Sequence, residues 1–510
     1  MFDSSTINQQ SLEIASNELW TILQPHITYL SEADHKIVEL AFITMVDAHD
    51  QQRRKSGEFY IIHPVSACII LSRLKIDKDT LCACLLHDVP EDTPTNLKDL
   101  SKIFSSEIVF LVEGVTKLSR IKYQGNHEYQ DNLQRMFVAM SKDLRVILIK
   151  LADRLHNLST LQHVRPDKQH RIALESVEIY APIAERLGIS FFRGEIEDAA
   201  FPYLHPEEYA QYISKSDIVI EERSRKLIEV EAKTRTLLEV NNIANFKLVS
   251  RAKRYYSIFK KATERDRPIE DIYDLMALRI IVPNIEDCYT ALSLIHGDFI
   301  ALDGRFKDYI KNPKRNGYQS IHTTVKNEQT GLIFEFQIRT EEMHNYAEYG
   351  VAAHWNYKNK GDKKDFLKRG NFEWLSELLK LGDEDWSEHE YLQYVKLDLF
   401  QDRIFVMTPK GDPIDLPEGA TVLDFAFRIH DEVGSRAMMA KVNGKTVPLD
   451  TVLKSADVVE IITAKNQQPR RDWIAMVTTA NAARHIRNTL RKRGEFFPDA
   501  SKKVKIPRKW

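Results

Sequence analysis

The chain has 510 residues, 43% of them hydrophobic and 29% charged, which is an ordinary balance for globular domains. This length predicts about three or four domains. The formal net charge of −2 excludes a chain that binds nucleic acid through its overall charge, so any such contact must come from a local basic segment.

The N-terminal segment, MFDSSTINQQ, has neither a basic start nor an apolar stretch and is not predicted to be a signal peptide. No apolar run of the sequence reaches about 18 residues, so no membrane span is expected. The four cysteines form no CxxC pair; they are Cys68, Cys82, Cys84 and Cys288. We therefore expect buried thiols in a cytoplasmic protein.

Residues 1–205 are predicted to form a helical domain, because apolar residues recur at i, i+3 and i+4 over most of this length. Two short apolar runs, at 81–86 and 146–151, are each compatible with a buried strand or a buried helix. Their long periodic flanks favour helix. Residues 206–240 are charged and periodic and are predicted to form a helical connector.

Residues 241–360 are predicted to form a mixed α/β domain. Strand-like runs at 278–282, 321–325 and 332–338 alternate with helical patterns, and turn residues such as Asn316-Gly317 separate them. The pattern therefore changes from all-helical to mixed at about residue 241.

The C-terminal part is divided by composition. Residues 361–400 begin with a polar, lysine-rich run and are predicted to be a linker that includes a helix. Residues 401–464 carry short strand-like runs between turn residues and are predicted to form a small α+β module. Residues 465–510 are predicted to form a basic helical tail, with thirteen Lys or Arg residues against three acidic residues. This tail is either a solvated helix with a loose end or a surface that contacts RNA.

The helical domain contains an ordered set of histidine, acidic and amide residues: His63, His87, Asp88, Glu91, Asp92, Asp153 and Asn157. On a helix, residues four apart share a face, which is predicted for His87 with Glu91 and for Asp153 with Asn157. Two imidazoles and two carboxylates can hold one divalent ion, with coordination positions left for water and substrate. Such an ion lowers the pKa of its bound water and polarises a phosphoryl oxygen. Glu91 and Asp92 are placed to move protons on that water.

This ordered set resembles the HD phosphohydrolase superfamily. The blocks GEFYIIHP, LLHDVPEDT, GVTKL and LIKLADRLHNLSTL resemble the hydrolase domain of the RelA/SpoT alarmone enzymes. The resemblance implies a Mn²⁺ site formed by His63, His87, Asp88 and Asp153. It implies that Glu91 and Asp92 are catalytic and that Arg54 stacks on the guanine. The remaining residues of the implied nucleotide pocket are Lys55, Asn157 and Thr160.

One position departs from this family's pattern, since Pro90 stands where a second aliphatic residue is usual. Proline removes a backbone donor and disfavours the α conformation at the preceding residue. We therefore expect the helix to end or bend directly before Glu91 and Asp92. Such a break would affect the rate of hydrolysis rather than metal binding. The alternative is a metal-free regulatory domain.

The α/β domain contains a run in which cations alternate with aromatic residues, from Leu248 to Lys261. Guanidinium planes can stack on bases and lysines can neutralise phosphates, although a solvated basic face has the same composition. Asp274 and Glu335 lie on or beside predicted strands, so that two carboxylates can converge on one Mg²⁺. Such an ion would offset the charge that develops during phosphoryl transfer to a ribose hydroxyl.

These blocks, through EMHNYAEYGVAAHW, are closely similar to the nucleotidyltransferase-like synthetase domain of the RelA/SpoT enzymes. The resemblance implies transfer of pyrophosphate from ATP to the 3′-hydroxyl of GDP or GTP. Asp274 and Glu335 would bind Mg²⁺, and Glu335 would also be the general base. Arg251 and Arg279 would contact adenine or its phosphates, and Tyr318 would stack on the acceptor guanine. The implied phosphate contacts are Lys253, Lys261, Lys307, Lys314 and His322.

Two short features bear on this resemblance. The run from Arg305 to Asp308 is the basic RxKD form that bifunctional members carry, whereas synthetase-only members carry an acidic version. Ser250 replaces the family's usual glycine before Arg251, and serine restricts φ compared with glycine. This substitution would alter the geometry of the predicted ATP-binding loop around Arg251.

Residues 402–462 resemble a TGS domain, a small β-grasp fold. In the family this module senses tRNA on the ribosome, and His430 matches the position that approaches the tRNA acceptor end. The alternative is an ordinary surface histidine. The chain stops at Trp510, before the zinc-finger-like and ACT domains of longer members, so we expect a naturally short or a truncated member.

The sequence therefore predicts a multidomain chain with an all-α HD domain, a mixed α/β synthetase domain and a β-grasp TGS domain. The expected activity is bifunctional synthesis and hydrolysis of (p)ppGpp, with the 207–241 connector coupling the two sites so that one closes as the other opens. One alternative is that only one site is active and the other is regulatory. Another is a non-catalytic factor associated with tRNA or the ribosome. The expected partners are ATP, GDP or GTP, (p)ppGpp and, through the TGS domain and the tail, the ribosome and tRNA, with no membrane.

Overall fold

The computed structural model describes residues 11–119, 136–140, 142–265, 268–269, 272–314, 316–329, 331–353 and 403–495. The described residues fall into two compact units, one containing residues 11–119 and 143–353 and the other containing residues 403–495. The predicted linker at 361–400 and the end of the tail lie outside the described residues. Within the described part of the chain, no helix is both long and apolar enough to cross a membrane.

The first unit begins with a helical part that confirms the all-α prediction. Its helices are α1 (Leu12–Leu23), α2 (Glu32–His49), α3 (Ile62–Ser72), α4 (Lys78–Leu86), α5 (Val89–Asp92), α6 (Leu97–Leu100), α7 (Ser106–Ser119), α8 (Arg145–Ser159), α9 (Pro166–Glu175), α10 (Ala181–Arg186) and α11 (Ser190–Leu204). The side chains of Ser11, Ser31 and Asp77 accept hydrogen bonds from the first turns of α1, α2 and α4, which satisfies backbone donors that a helix leaves free.

The two ambiguous apolar runs are helical, as predicted. Residues 81–86 lie in α4 and residues 146–151 lie in α8, and every residue of both runs is buried. A helix that is apolar on all sides is stable only inside a core. Helix α3 packs against both α4 and α8, so the three helices form the centre of the domain. They also carry the metal-ligand candidates.

The connector forms one helix, α12 (Pro206–Val240), of 35 residues. Its buried residues Leu227, Val230 and Leu238 belong to the hydrophobic core of the following sheet. The helix is therefore part of the α/β domain as well as a link to it.

The sheet of this domain has the order β1-β2-β5-β4-β3, in which β2 and β5 are parallel and the other pairs are antiparallel. The elements in chain order are β1 (Lys247–Ala252), α13 (Tyr255–Arg265), β2 (Met276–Val282), α14 (Ile285–Asp298), β3 (Ile300–Asp308), β4 (Ile321–Lys326), β5 (Ile333–Thr340) and α15 (Glu341–Tyr349). The three strands predicted from apolar runs are β2, β4 and β5.

The two faces of this sheet differ in chemistry. Alternate residues of β2 and β5, such as Leu278, Phe334 and Phe336, are buried in the core formed with α12 and α14. Because side chains alternate across a strand, the intervening residues point to the opposite face. The register places Glu335 beside Ala277 and Thr324 on that face, which carries the polar residues of the second site.

The helical part and the sheet part meet directly within the first unit. The backbone N–H of Val351 donates to the carbonyl of Leu187 over 3.0 Å. Gly350, with φ +55°, approaches so closely that an added Cβ would lie 2.2 Å from the Leu187 carbonyl oxygen. Arg254 at the start of α13 pairs with Glu195 of α11 at 3.0 Å.

The second unit contains the predicted small module. Its elements are β6 (Arg403–Met407), β7 (Pro413–Pro417), α16 (Val422–Ile429), α17 (Asp431–Ser435), β8 (Ala437–Val442), β9 (Lys445–Val447), β10 (Val459–Thr463) and α18 (Ala480–Lys492). Strands β6 and β7 form a ribbon, and the other three strands form a sheet in the order β10-β8-β9.

The interpretation of the basic tail as a solvated helix is wrong for α18. This helix packs against α16 and buries Ile486 and Leu490, while Trp473 just before it is fully buried. The carboxylate of Asp424 in α16 accepts hydrogen bonds from the backbone N–H and the hydroxyl groups of Thr478 and Thr479. Residues 471–492 are thus an integral part of the module.

Candidate active sites

The predicted metal ligands of the helical domain meet in one cluster. His63 lies in α3, His87 and Asp88 follow α4, and Asp153 lies in α8. The Nε2 atom of His63 lies 3.2 Å from Asp153 Oδ1 and 3.5 Å from Asp88 Oδ2. The Nε2 atom of His87 lies 3.2 Å from Asp88 Oδ1 and 3.9 Å from Asp153 Oδ1. Two imidazole nitrogens therefore face two carboxylates in a buried space.

The donor set of this cluster fits a divalent cation. The Nδ1 atom of His87 lies 2.7 Å from the carbonyl oxygen of Cys84, which only accepts, so Nδ1 carries the proton. In the neutral form of the ring, the Nε2 atom of His87 then presents a lone pair, and this atom is buried with no hydrogen-bond partner among the described residues. One ligand atom each from His63, His87 and Asp88 lies within 4.8 Å of the others. An unprotonated buried nitrogen facing carboxylates is the arrangement that a bound cation satisfies.

The electrostatics of the cluster keep both carboxylates ionised. Burial favours the neutral acid, but His87 and His63 in their protonated forms lower the pKa of Asp88 below its usual value. Burial also opposes ionisation of Asp153, yet the Lys150 ammonium and the two histidines lower its pKa well below the usual value. The Nζ atom of Lys150 lies 2.6 Å from Asp153 Oδ2. Ionised carboxylates are the form that binds a cation.

The two acids predicted to be catalytic lie on a separate short helix. Helix α4 ends at Leu86, and Glu91 and Asp92 belong to α5 (Val89–Asp92). The chain breaks between α4 and α5 at His87 and Asp88, not directly before Glu91 as predicted, and Pro90 lies inside α5 together with both acids. His87 and Glu91 therefore do not lie on the one continuous helix that a shared face assumed. Pro90 lies in the first turn of α5, where a missing backbone N–H leaves no hydrogen bond unmade.

Tyr60 joins the metal cluster to one of these acids. Its hydroxyl lies 2.8 Å from Asp88 Oδ2 and 2.6 Å from Asp92 Oδ2. Burial and the two carboxylates raise the pKa of Tyr60 above its usual range, so the hydroxyl keeps its proton. The hydroxyl has one proton, so it can donate a hydrogen bond to only one of the two carboxylates at a time.

The predicted nucleotide residues of this domain are largely brought together. Arg54 donates to Asn157 Oδ1 over 2.6 Å and to Thr160 Oγ1 over 3.2 Å. Asn157 in turn donates to Asp153 one turn earlier in α8, so these two residues share a face as predicted. Lys55 is exposed, and none of the contacts found among the described residues joins it to this group.

The sequence reasoning missed three residues of this site, Tyr60, Lys150 and His156. Tyr60 precedes His63 by three residues, and Lys150 and His156 each lie three residues from Asp153 on α8. Residues three apart on a helix are neighbours, so this spacing was a usable signal for Lys150 and His156. Their partners across the site could not be read from spacing alone.

We expect Tyr60→Phe to lower the rate of the hydrolysis proposed below by about tenfold to a hundredfold, the effect of losing one hydrogen bond to a charged group. The measurement is the steady-state rate at saturating Mn²⁺. Tyr29→Phe is the matched control, because Tyr29 is a part-buried tyrosine of the same domain that donates to the Ile76 carbonyl instead. An unchanged rate in Tyr60→Phe, or an equal loss in Tyr29→Phe, would contradict this role.

The second site is a cavity of about 460 Å³ on the polar face of the sheet. Seven of the residues predicted for the synthetase site line it: Lys253, Lys261, Asp274, Lys307, Lys314, His322 and Glu335. Arg305 of the RxKD run lines it too. Three further residues that line the cavity were not predicted: Tyr309, Thr324 and Gln337. Thr324 and Gln337 lie on strands and face the cavity because side chains alternate along a strand, and Tyr309 directly follows β3.

Charges of both signs are paired inside this cavity. The Nζ atom of Lys253 lies 2.7 Å from Asp274 Oδ2, and Lys261 pairs with the same oxygen. Burial opposes ionisation of Asp274, but the two ammonium groups hold its pKa well below the usual range. The pKa of Lys253 is lowered to about 8. Burial is the main cause and repulsion by Lys261 adds to it, whereas attraction by Asp274 opposes the shift.

Glu335 lies at the centre of the same face. His322 Nδ1 lies 3.3 Å from Glu335 Oε1, and Gln337 donates to this oxygen over 2.7 Å. Burial favours the neutral acid, but these two neighbours lower the pKa of Glu335. Glu335 is therefore ionised at neutral pH, the state required of a metal ligand or a general base.

Three predicted nucleotide residues do not line this cavity and form an adjoining group. Arg279 is buried and donates to Glu348 over 2.9 Å. Tyr318 contacts His322 through its hydroxyl, at 2.8 Å from Nε2. Arg251 is exposed on β1. The prediction missed Arg339, which is buried and pairs with the same Glu348 at 3.6 Å.

The Ser250 substitution leaves the strand regular. Ser250 pairs with Leu278 in the antiparallel register of β1 with β2, and it is absent from the residues with positive φ. No backbone conformation that requires glycine is therefore needed at this position. Its hydroxyl donates to Glu231 of α12 over 3.1 Å.

His430 of the second unit is exposed and caps a short helix. Its Nδ1 accepts a hydrogen bond from the backbone N–H of Glu432 at the start of α17. This contact leaves the rest of the ring at the surface of the module.

Comparison with protein families agrees with this division of the chain. Residues 41–190 match the model of the HD domain, residues 250–362 match a region found in RelA / SpoT proteins, and residues 404–463 match the TGS domain. The fold and the two sites thus define an HD-type helical domain followed by a RelA/SpoT-type α/β domain and a TGS module.

Curated relatives match most of this chain. A probable guanosine-3′,5′-bis(diphosphate) 3′-pyrophosphohydrolase of Synechocystis sp. is 46% identical over 467 residues, which is 90% of this chain and 61% of the relative. The bifunctional (p)ppGpp synthase/hydrolase SpoT of Escherichia coli is 41% identical over 471 residues, 91% of this chain and 66% of the relative. The chain belongs to the RelA/SpoT family, and it spans less than two thirds of the length of these relatives.

Solved structures match about a third of the chain. The small alarmone synthetase 1 of Bacillus subtilis bound to pppGpp is 26% identical, with a TM-score of 0.23, over 34% of this chain and 94% of that structure. A metazoan ortholog of SpoT that hydrolyses ppGpp is 29% identical, with a TM-score of 0.24, over 34% of this chain and 88% of that structure.

Proposed function

We propose that this chain both hydrolyses and synthesises (p)ppGpp, at two separate sites in its first unit. The observation that carries the proposal is the presence in one chain of a cluster of His63, His87 and Asp88 with Asp153 beside both histidines, and of a cation-lined cavity with two carboxylates. The names of the relatives, which include a bifunctional synthase/hydrolase, support it.

The helical domain would remove the 3′-pyrophosphate of (p)ppGpp. Mn²⁺ held by His63, His87, Asp88 and Asp153 would supply a water of lowered pKa and polarise the phosphoryl oxygen. Glu91 and Asp92 would take the proton of that water and return one to the leaving group. Arg54 would stack on guanine, and the remaining nucleotide contacts would come from Lys55, Asn157 and Thr160.

The α/β domain would transfer pyrophosphate from ATP to the 3′-hydroxyl of GDP or GTP. Mg²⁺ held by Asp274 and Glu335 would offset phosphate charge. Glu335 would accept the hydroxyl proton as the ribose oxygen forms its bond to the β-phosphorus and AMP departs. Arg251 and Arg279 would contact adenine or its phosphates. The phosphate contacts would be Lys253, Lys261, Lys307, Lys314 and His322, and Tyr318 would stack on the acceptor guanine.

The TGS module would carry the contact with tRNA and the ribosome. The exposed position of His430 and the cations of α18 support this part of the proposal. An ordinary surface histidine is the alternative. If addition of ribosomes and uncharged tRNA stimulates synthesis equally in the parent chain and in His430→Ala, the histidine has no sensing role.

The proposed function is tested with the purified full chain. ATP, GDP and Mg²⁺ are supplied first, and the formation of ppGpp and AMP is measured. Purified ppGpp and Mn²⁺ are supplied next, and the release of pyrophosphate is measured. We expect both reactions. One reaction without the other would favour a single active site with a regulatory partner, and tight tRNA binding with neither reaction would favour a non-catalytic factor.

A further inference from the structure

His156 contacts a candidate metal ligand from the side away from the other ligands. Its Nδ1 atom lies 2.7 Å from Nδ1 of His63, and the two ring centroids are 4.9 Å apart. Both residues are buried, with 1% of His63 and 4% of His156 exposed. His156 lies one turn after Asp153 on α8, so the same helix supplies a ligand and this second contact.

The position of the proton between the two rings follows from metal binding. The Nε2 atom of His63 faces both carboxylates, so this nitrogen would bind the ion and must present a lone pair. The single proton of the neutral ring then belongs on Nδ1. A buried N–H needs an acceptor, and the acceptor within hydrogen-bond distance in the described part of the chain is Nδ1 of His156. His156 therefore accepts through Nδ1 and carries its own proton on Nε2.

The other histidine of the cluster follows the same rule with a different partner. His87 donates its Nδ1 proton to the backbone carbonyl of Cys84. Each imidazole thus has one acceptor on its outer nitrogen, which fixes the tautomer and the orientation of the ring. Partners of this kind strengthen metal binding by about tenfold to a hundredfold in known sites. The acceptor of His63 is a side chain and can be replaced, whereas the acceptor of His87 is main chain.

We propose that His156 is a positioning residue that holds His63 in the tautomer and orientation that bind the metal. This inference rests on the metal site of the proposed function. It assigns His156 no contact with substrate and no part in proton transfer to the reacting atoms.

The test compares variants that remove or keep the acceptor. His156→Leu removes it at similar volume, and His156→Asn keeps an oxygen near the position of Nδ1. His163→Leu replaces an exposed histidine of the neighbouring segment and is the matched control. Mn²⁺ affinity of the full chain is measured by electron paramagnetic resonance titration, and the rate of ppGpp hydrolysis is measured against Mn²⁺ concentration.

We expect His156→Leu to bind Mn²⁺ about tenfold to a hundredfold more weakly, while His156→Asn and His163→Leu stay within about threefold of the parent chain. Hydrolysis by His156→Leu should recover as Mn²⁺ is raised. Should the leucine variant fail to fold, as judged by its melting temperature and its rate of ppGpp synthesis, His156→Ala serves in its place.

Two results would overturn the inference. One is an unchanged Mn²⁺ affinity in a folded variant that lacks the acceptor, even if its melting temperature falls, because that is the behaviour of a packing residue. The other is an equal loss of affinity in His156→Asn. A parent chain that binds no Mn²⁺ would reject the metal site itself, whereas a parent chain that binds Mn²⁺ without hydrolysing ppGpp would reject only the proposed activity.

Discussion

Asp88→Asn is expected to lower ppGpp hydrolysis by on the order of a thousandfold or more, because a metal-bound water is the source of a nucleophile at neutral pH. The two carboxylate oxygens of Asp88 face His87 and His63 separately, at 3.2 and 3.5 Å, so this residue links both imidazoles around the ion. Asparagine keeps the shape but is neutral, and its amide would turn two N–H groups toward the same space. The measurement is pyrophosphate release from ppGpp with Mn²⁺.

Synthesis by Asp88→Asn should stay within about twofold of the parent rate, since the synthetase cavity contains no part of this cluster. Asp167→Asn is the control for a lost carboxylate in the same domain, because Asp167 forms an exposed ion pair with Arg165, a type of pair that contributes little to stability. Hydrolysis and Mn²⁺ affinity at parent levels in Asp88→Asn would refute the ligand assignment.

Glu335→Gln is expected to lower ppGpp synthesis by about a hundredfold to ten-thousandfold, the range for loss of a general acid or base. Glutamine is similar in size, so the strand register with Ala277 and Thr324 should persist. The substitution removes the charge that His322 and Gln337 stabilise in the cavity. The measurement is formation of ppGpp and AMP from ATP and GDP.

The matched control for this change is Glu341→Gln. Glu341 begins α15 just after the same strand and forms an exposed pair with Lys247, outside the cavity. We expect both variants to hydrolyse ppGpp at the parent rate. Synthesis by Glu335→Gln within about threefold of the parent rate would show that the carboxylate is neither base nor essential ligand.

Spacing along the chain predicted the elements that carry the sites but only part of their geometry. The four predicted metal ligands lie on, or directly after, the buried helices α3, α4 and α8, and the ordered set was visible from the residue types and their order along the chain. The arrangement of Glu91 relative to His87 was predicted wrongly, because helical periodicity assumes one continuous helix and α4 ends at Leu86. A break of this kind changes which side chains share a face.

Contacts between distant parts of the chain could not be predicted from periodicity. Arg279 and Glu348 are 69 residues apart and come together because β2 lies beside β5, which leads into α15. Tyr60 meets Asp92 across 32 residues for a similar reason. Such pairs depend on the packing of whole elements, and a single sequence gives the elements without their packing.

The hypothesis that the connector couples the two sites stays a prediction, and the structure shows a second contact between the two domains. Helix α12 packs into the core of the sheet. In addition, Asn316 beside Tyr318 donates to the carbonyl of Glu185, and Gly350 touches the backbone at 187–188. The helical domain therefore contacts the loop that bears the expected guanine-stacking residue, independently of the connector.

We propose that the two sites of this chain are chemically independent. The most direct test is a crossed assay in which the parent chain, Asp88→Asn and Glu335→Gln are each measured for ppGpp synthesis and for ppGpp hydrolysis. We expect Asp88→Asn to lose hydrolysis alone and Glu335→Gln to lose synthesis alone. Loss of both reactions in either folded variant, or retention of both, would contradict the proposal.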